Sequence, residues 1–163
     1  VAREYTGTRD GVAAGRRAGL EEFVKQVEKL SGGALWNNGT WVVRNMRGKE
    51  SLSVHATGRA VDLSWRKLGT KGVADGREPA RRTIRTLVQH AELLQIESVL
   101  DYFPDPHGRG WRCDRGTWQT YQRPTISGAG GGDWFHVEIA PTFADDAAAY
   151  RQLFQQLTTQ ETV

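Results

Sequence analysis

Ser53-Val54-His55-Ala56-Thr57-Gly58-Arg59-Ala60-Val61-Asp62-Leu63 is the stretch around which the chain is organised. Its pattern, S-x-H-x-x-G-x-A-x-D, sets a histidine and an aspartate around small residues in a run that alternates like a strand. On extended chain Ser53 and His55 share a face, and so do Ala60 and Asp62. A turn at Gly58 would fold the two halves together and let His55 and Asp62 reach one ion. Gly58 and Ala60 would keep bulk away from it, while Val54, Val61 and Leu63 face the core.

A second stretch, Asp133-Trp134-Phe135-His136-Val137-Glu138-Ile139, completes the chemistry. Residues 134–140 read as a strand, with Phe135, Val137 and Ile139 on one face and Trp134, His136 and Glu138 on the other. The imidazoles of His55 and His136 with the carboxylate of Asp62 make the three-ligand set of a catalytic zinc site, which keeps a fourth position for water. Such a water needs a proton acceptor that is not itself a ligand. Asp133 is the candidate. Strict alternation turns it to the opposite face, but the four glycines and an alanine before it (Gly128 to Gly132) leave the backbone free to kink. Glu138 is the rival for base, or a group outside the ligand set that orients a ligand or a nearby arginine.

The 163 residues are expected to form a single domain over 1–163, large enough to bury a core without staples. With 38% hydrophobic and 25% charged residues, collagenous and strongly disordered classes are excluded. Cys113 stands alone, so there is no intramolecular disulfide and no multi-cysteine zinc finger. It reads as a free thiol; a second metal site of His107, Cys113 and Asp114 is disfavoured by the charged loop around it. The net charge of +3 and pI of about 9.2 are a mild basic excess without a clustered stripe, so no nucleic-acid partner is expected. No segment approaches the ~20 apolar residues of a membrane span, and no membrane partner is expected. A monomer is expected. The start at Val1 suggests a fragment or a processed product.

Residues 1–10 read as a loose lead-in. Leu20, Phe23, Val24, Val27 and Leu30 mark one face of a helix over about 16–30, stopped by Ser31-Gly32-Gly33. Asn37-Asn38-Gly39 suggests a hairpin between Trp36 and Thr40 to Val43. A loop from Lys67 to Gly76 leads to a helix with Pro79 in its first turn, and residues 96–103 read as a strand. Arg81, Arg82 and Arg85 read as a solvated helix face. Trp111, Trp118 and Tyr121 could line a groove, although aromatics at this density usually serve the core. The run from Ser127 to Gly132 lacks the lysine of a phosphate loop and opens a strand, so it reads as a flexible loop beside the site. Thr142 is the expected N-cap of a last helix. The expected fold is α+β: a small, mostly antiparallel sheet carrying the site, packed against about three helices.

S-x-H-x-x-G-x-A-x-D followed by D-x-x-H-x-E resembles the VanY-like family of zinc D-alanyl-D-alanine carboxypeptidases and L-alanyl-D-glutamate endopeptidases, in particular the peptidoglycan-degrading members of bacteriophage endolysins. The likeness covers roughly residues 40–66 and 95–140. It implies zinc bound by His55, Asp62 and His136, with Asp133 as the base that activates water. Many members carry glutamate there, so aspartate is a variant. It further implies Ser53 near the substrate and an upstream arginine, Arg47 or Arg44, on a substrate carboxylate. The implied substrate is the peptidoglycan stem peptide or cross-link, and the implied place of action is the bacterial wall. As a phage lysin the protein would be made in the host cytoplasm and released to the wall, alone or as the catalytic domain of a longer chain. Two other readings remain: a D,D-carboxypeptidase removing terminal D-alanine, and a non-catalytic zinc module for wall binding or virion structure. The retained Asp133 argues against the last, because a binding module needs no base.

Overall fold

Residues 2–46, 51–65, 72–125 and 130–160 are described by a computed structural model. Along them run α1 (Ala18–Leu30), β1 (Trp36–Asn37), a 3-10 turn (Val54–Thr57), β2 (Ala60–Ser64), α2 (Gly72–Gln89), β3 (Ile96–Asp101), β4 (Arg109–Arg112), β5 (Thr117–Thr120), β6 (Trp134–Ile139), a second 3-10 turn (Pro141–Phe143) and α3 (Ala147–Gln160). The strands form one antiparallel sheet of order β1-β2-β6-β3-β4-β5, and with the three helices this is the expected α+β fold.

β6 sits inside the sheet, and its alternation sorts the two faces. Phe135, Val137 and Ile139 are fully buried beside Val61 and Leu63 of β2 and Ile96 and Val99 of β3. The helices close over this apolar face with Phe23 and Val27 from α1, Ile84 and Leu87 from α2, and Tyr150 and Phe154 from α3. Phe23 meets Tyr150 and Phe154 edge to face, with centroids 5.3 and 5.7 Å apart. The opposite face of β6 carries Trp134, His136 and Glu138. Hydrophobic burial on one side therefore fixes which side chains are left for the other.

Several local expectations give way to longer-range pairing. Asn37-Asn38-Gly39 does not close a local hairpin. Trp36 and Asn37 pair with Ser64 and Leu63, and Asn38 N–H donates to Asp62 O at 2.8 Å. Residues 54–57 form a 3-10 turn instead of extended chain, because Ser53 Oγ accepts from His55 N–H and Gly58, at φ 71°, ends it in the left-handed region. Helix α2 begins before Pro79 and runs through it; Gly76 packs directly on Trp65, and Arg77 forms paired bonds of 2.9 and 3.0 Å with buried Asp101. Residues 66–71 of the expected loop, and 127–129 of the glycine-rich run, lie outside the described residues. Thr142 does not cap α3. Its hydroxyl donates to Gln95, and Asp146 Oδ1 accepts from Ala149 N–H, three residues on, as a cap does. Arg109 to Thr120 forms the β4–β5 hairpin, with Gly116 at φ 67° in its turn.

The lead-in is not loose. Residues 3–10 form a strap bonded to the sheet: Thr6 donates to Glu97, Gly7 and Asp10 accept from Arg59, and Arg3 N–H donates to Cys113 O. Their polar composition hid this, since the side-chain partners Arg59 and Glu97 are buried charges far away in the sequence.

Gly19 shows how tightly the helices close. Its N–H donates to Ala144 O at 2.8 Å, and a Cβ there would lie 1.8 Å from Phe143 O. Gly19→Ala is expected to lower stability by about 2 kcal/mol or more, because backbone, not a flexible side chain, must yield. Urea unfolding of the variant beside the parent checks it; equal midpoints would contradict this packing.

Candidate metal centre

His55 is placed by backbone geometry. Its Nδ1 lies 2.6 Å from Thr40 O, and a carbonyl can only accept, so Nδ1 carries a proton and Nε2 is the nitrogen left to face the cluster. Nε2 faces Asp62 Oδ2 at 3.2 Å. Thr40 is held in turn, its hydroxyl donating to Glu21 of α1 at 2.7 Å.

Asp62 and His136 meet because β2 and β6 pair with these two residues directly opposite. His136 Nδ1 lies 2.9 Å from Asp62 Oδ1, and its Nε2 lies 2.9 Å from Glu138 Oε1. The other oxygen of Glu138 accepts from the Tyr5 hydroxyl at 2.6 Å. Asp62 thus points one oxygen at each imidazole, and ligand atoms of His55, Asp62 and His136 all fall within 4.8 Å of one another. This cluster could hold a metal ion: two imidazoles and a carboxylate are a suitable donor set, and each ring has its far nitrogen hydrogen-bonded as ligating histidines do.

The electrostatics agree with that geometry. Burial favours the neutral acid at Asp62, but hydrogen bonds from His136 and His55 and their charges hold its carboxyl far below the usual range. Burial opposes the charged form of His136. Bonds to Asp62 and Glu138 outweigh it and raise the ring from 6.5 to about 10. Glu138, buried as well, is kept ionised by His136, with Tyr5 and Arg59 adding to the effect.

The cluster floors a cavity of about 620 Å³. Arg44, Asn45 and Ser53 line one part of it and Tyr102 and Trp134 another, the last two rings lying 4.1 Å apart. Ser53 N–H donates to Arg44 O at 3.0 Å, which keeps those two side by side. Of the residues expected from sequence, His55, Asp62, His136, Glu138, Ser53 and Arg44 meet here, and Arg47 lies outside the described residues. Asp133 stands half-buried just before β6, where its carbonyl accepts from Trp65 N–H and Ser64 Oγ, both at 3.1 Å. It is not among the cavity-lining residues, although its neighbour Trp134 is.

The aromatic groove is not where Trp111, Trp118 and Tyr121 suggested. Trp111 is core, Trp118 lies beneath the Arg109 guanidinium at 4.1 Å, and none of the three lines the cavity. No second cluster with His107, Cys113 and Asp114 forms among the described residues, and Cys113 is a buried free thiol. Arg81, Arg82 and Arg85 are exposed, as expected. Tyr5, Thr40 and Tyr102 escaped sequence reasoning. Each acts from a segment without a ligand-like pattern, so only the fold could reveal them.

No protein-family model matches the chain, and neither curated proteins nor solved structures give a match.

An ion and a proton compete for His136 Nδ1, and the raised pKa means that the proton occupies it at neutral pH. Binding of a divalent ion at pH 7 should therefore release about one proton, and affinity should climb about tenfold per pH unit until the ring's own value near 10 is passed. Calorimetry in buffers of different ionisation enthalpy measures the release, and His136→Ala should abolish tight binding. An affinity flat between pH 6 and 9 would contradict the assignment.

Proposed function

We propose that the protein is a zinc-dependent peptidase that cleaves a peptide bond in the peptidoglycan stem or cross-link, as the catalytic domain of a phage-type lysin acting at the bacterial wall. The observation carrying this reading is the convergence of His55, Asp62 and His136 in one cavity with Arg44 and Ser53. Zinc is favoured over harder ions because two of the three donors are imidazole nitrogens, and a three-ligand set leaves a position open. When bound there, it supplies Lewis acidity to a scissile carbonyl and lowers the pKa of water.

The remaining work falls to the chain's own residues. Asp133 takes the proton of the attacking water and returns it to the departing amine. Gly131, at a positive φ of 87°, stands two residues before Asp133. Arg44 pairs with a substrate carboxylate through its planar fork of donors. Arg47 remains the alternative for that role. Ser53 offers its hydroxyl beside Arg44, while Glu138 holds His136 from behind. The adjoining rings of Tyr102 and Trp134, tilted 34° to one another, form an apolar wall for the stem. The +3 net charge favours approach to an anionic wall.

Zinc-loaded protein is expected to solubilise purified cell walls, and mass spectrometry of the muropeptides will identify the bond. New chain termini inside the stem mean an endopeptidase, whereas free D-alanine alone means a carboxypeptidase. Asp133→Asn should keep zinc stoichiometry and lose about 10²–10⁴-fold in kcat. Walls and defined muropeptides left intact by the zinc-loaded protein would refute the enzyme reading and leave a zinc-holding wall or virion module.

A further inference from the structure

The strap of residues 3–10 reaches the metal centre through one side chain. Thr6 is pinned by Glu97, which accepts from its N–H at 3.1 Å and its hydroxyl at 2.6 Å. Glu97 is free for this because the register of β3 against β6 skips it, Ile96 pairing with Ile139 and Ser98 with Glu138. On the other side, the fully buried guanidinium of Arg59 donates to Gly7 O and to both oxygens of Asp10, the latter at 2.8 Å. Arg3 donates to the carbonyls of Ala91 and Ile96, and the Tyr5 ring lies beneath the Arg112 guanidinium at 4.6 Å. Tyr5 is thus clamped before, after and above. Its hydroxyl is delivered to Glu138 Oε2 at 2.6 Å.

Glu138 is a buried carboxylate with two oxygens to satisfy. Tyr5 serves one and His136 Nε2 the other, at 2.9 Å. That second bond turns Nδ1 of the same ring toward Asp62 and His55. We propose that Tyr5 is a positioning residue of the metal centre: acting through Glu138, it holds the His136 ring in the orientation that offers Nδ1 to a divalent ion. This rests on reading His55, Asp62 and His136 as ligands, and not on the peptidase reaction. Without the phenol, one desolvated oxygen of Glu138 loses its donor. The carboxylate then turns, and its grip on the Nε2 proton weakens.

The test is zinc affinity, measured by competition with a chromophoric chelator for the full chain and for Tyr5→Phe, Glu138→Gln and the double variant, with melting curves for each. Tyr5→Phe should bind zinc about 10–100-fold more weakly than the parent. In the Glu138→Gln background the same change should matter less than about twofold, because the route through Glu138 is already cut. A merely structural tyrosine predicts equal losses in both backgrounds, and that result overturns the proposal, as does unchanged affinity in Tyr5→Phe. Should Glu138→Gln fail to fold, proton NMR of the zinc-loaded parent and Tyr5→Phe decides: the His136 Nε2 proton should be downfield and protected in the parent, and shifted upfield or lost to exchange in the variant. An identical resonance in both refutes the role. If zinc binding follows these expectations while walls stay uncut, the peptidase reading fails and the assignment of Tyr5 stands.

Discussion

The pairing of β2 with β6 is the constraint on which the site depends. Asp62 lies directly across from His136, and their neighbours Val61, Leu63, Phe135 and Val137 are all fully buried on the helical side. A slip of β2 by one residue would turn Val61 and Leu63 outward and bury the Asp62 carboxylate against the core, so the register is held by hydrophobic burial and not by the polar contacts it creates. The ligand geometry is in this sense a by-product of core packing. That suits a site that must keep two imidazoles and a carboxylate close together whether or not an ion shields their charges.

Behind the His55, Asp62 and His136 cluster stand several buried charges. Arg59, Glu97 and Glu138 are each at most 5% exposed, yet each is hydrogen-bonded to the strap, through Asp10, Thr6 and Tyr5 respectively, and Arg59 forms an ion pair with Glu97 at 3.6 Å. Removing one member of such a network leaves the others desolvated without a partner, which costs far more than the network contributes over an apolar core. Its retention beside the cavity makes sense as orientation: it fixes the strap, the strap fixes Tyr5, and Glu138 is left with one way to face His136.

The outline of the site was legible because metal ligation needs specific donors at specific places. His55 and Asp62 sit seven residues apart around a glycine, and His136 and Glu138 alternate with an apolar face that announces a strand. The local path between them was not legible. His55 leaves a 3-10 turn instead of a strand because Ser53 caps it, and Asn37 pairs with β2 instead of closing its own hairpin. Pro79 reads as a helix start, but α2 gains earlier turns by docking Gly76 on Trp65 and Arg77 on Asp101. Each miss came from judging a segment by local preference where a distant partner contributed more.

By itself, the sequence determined the α+β class, the face of β6 turned to the core, and His55, Asp62 and His136 as a candidate donor set, since composition and periodicity act within a few residues. Only the tertiary structure decided which nitrogen each histidine turns inward, that Glu138 bonds the far nitrogen of His136, and that Tyr5 and Thr40 stand next to the cluster. Those choices depend on hydrogen bonds between residues far apart in the chain, Tyr5 to Glu138 and Thr40 to His55 among them. A carbonyl or a phenol carries no signal of its partner until the fold brings the two within bonding distance.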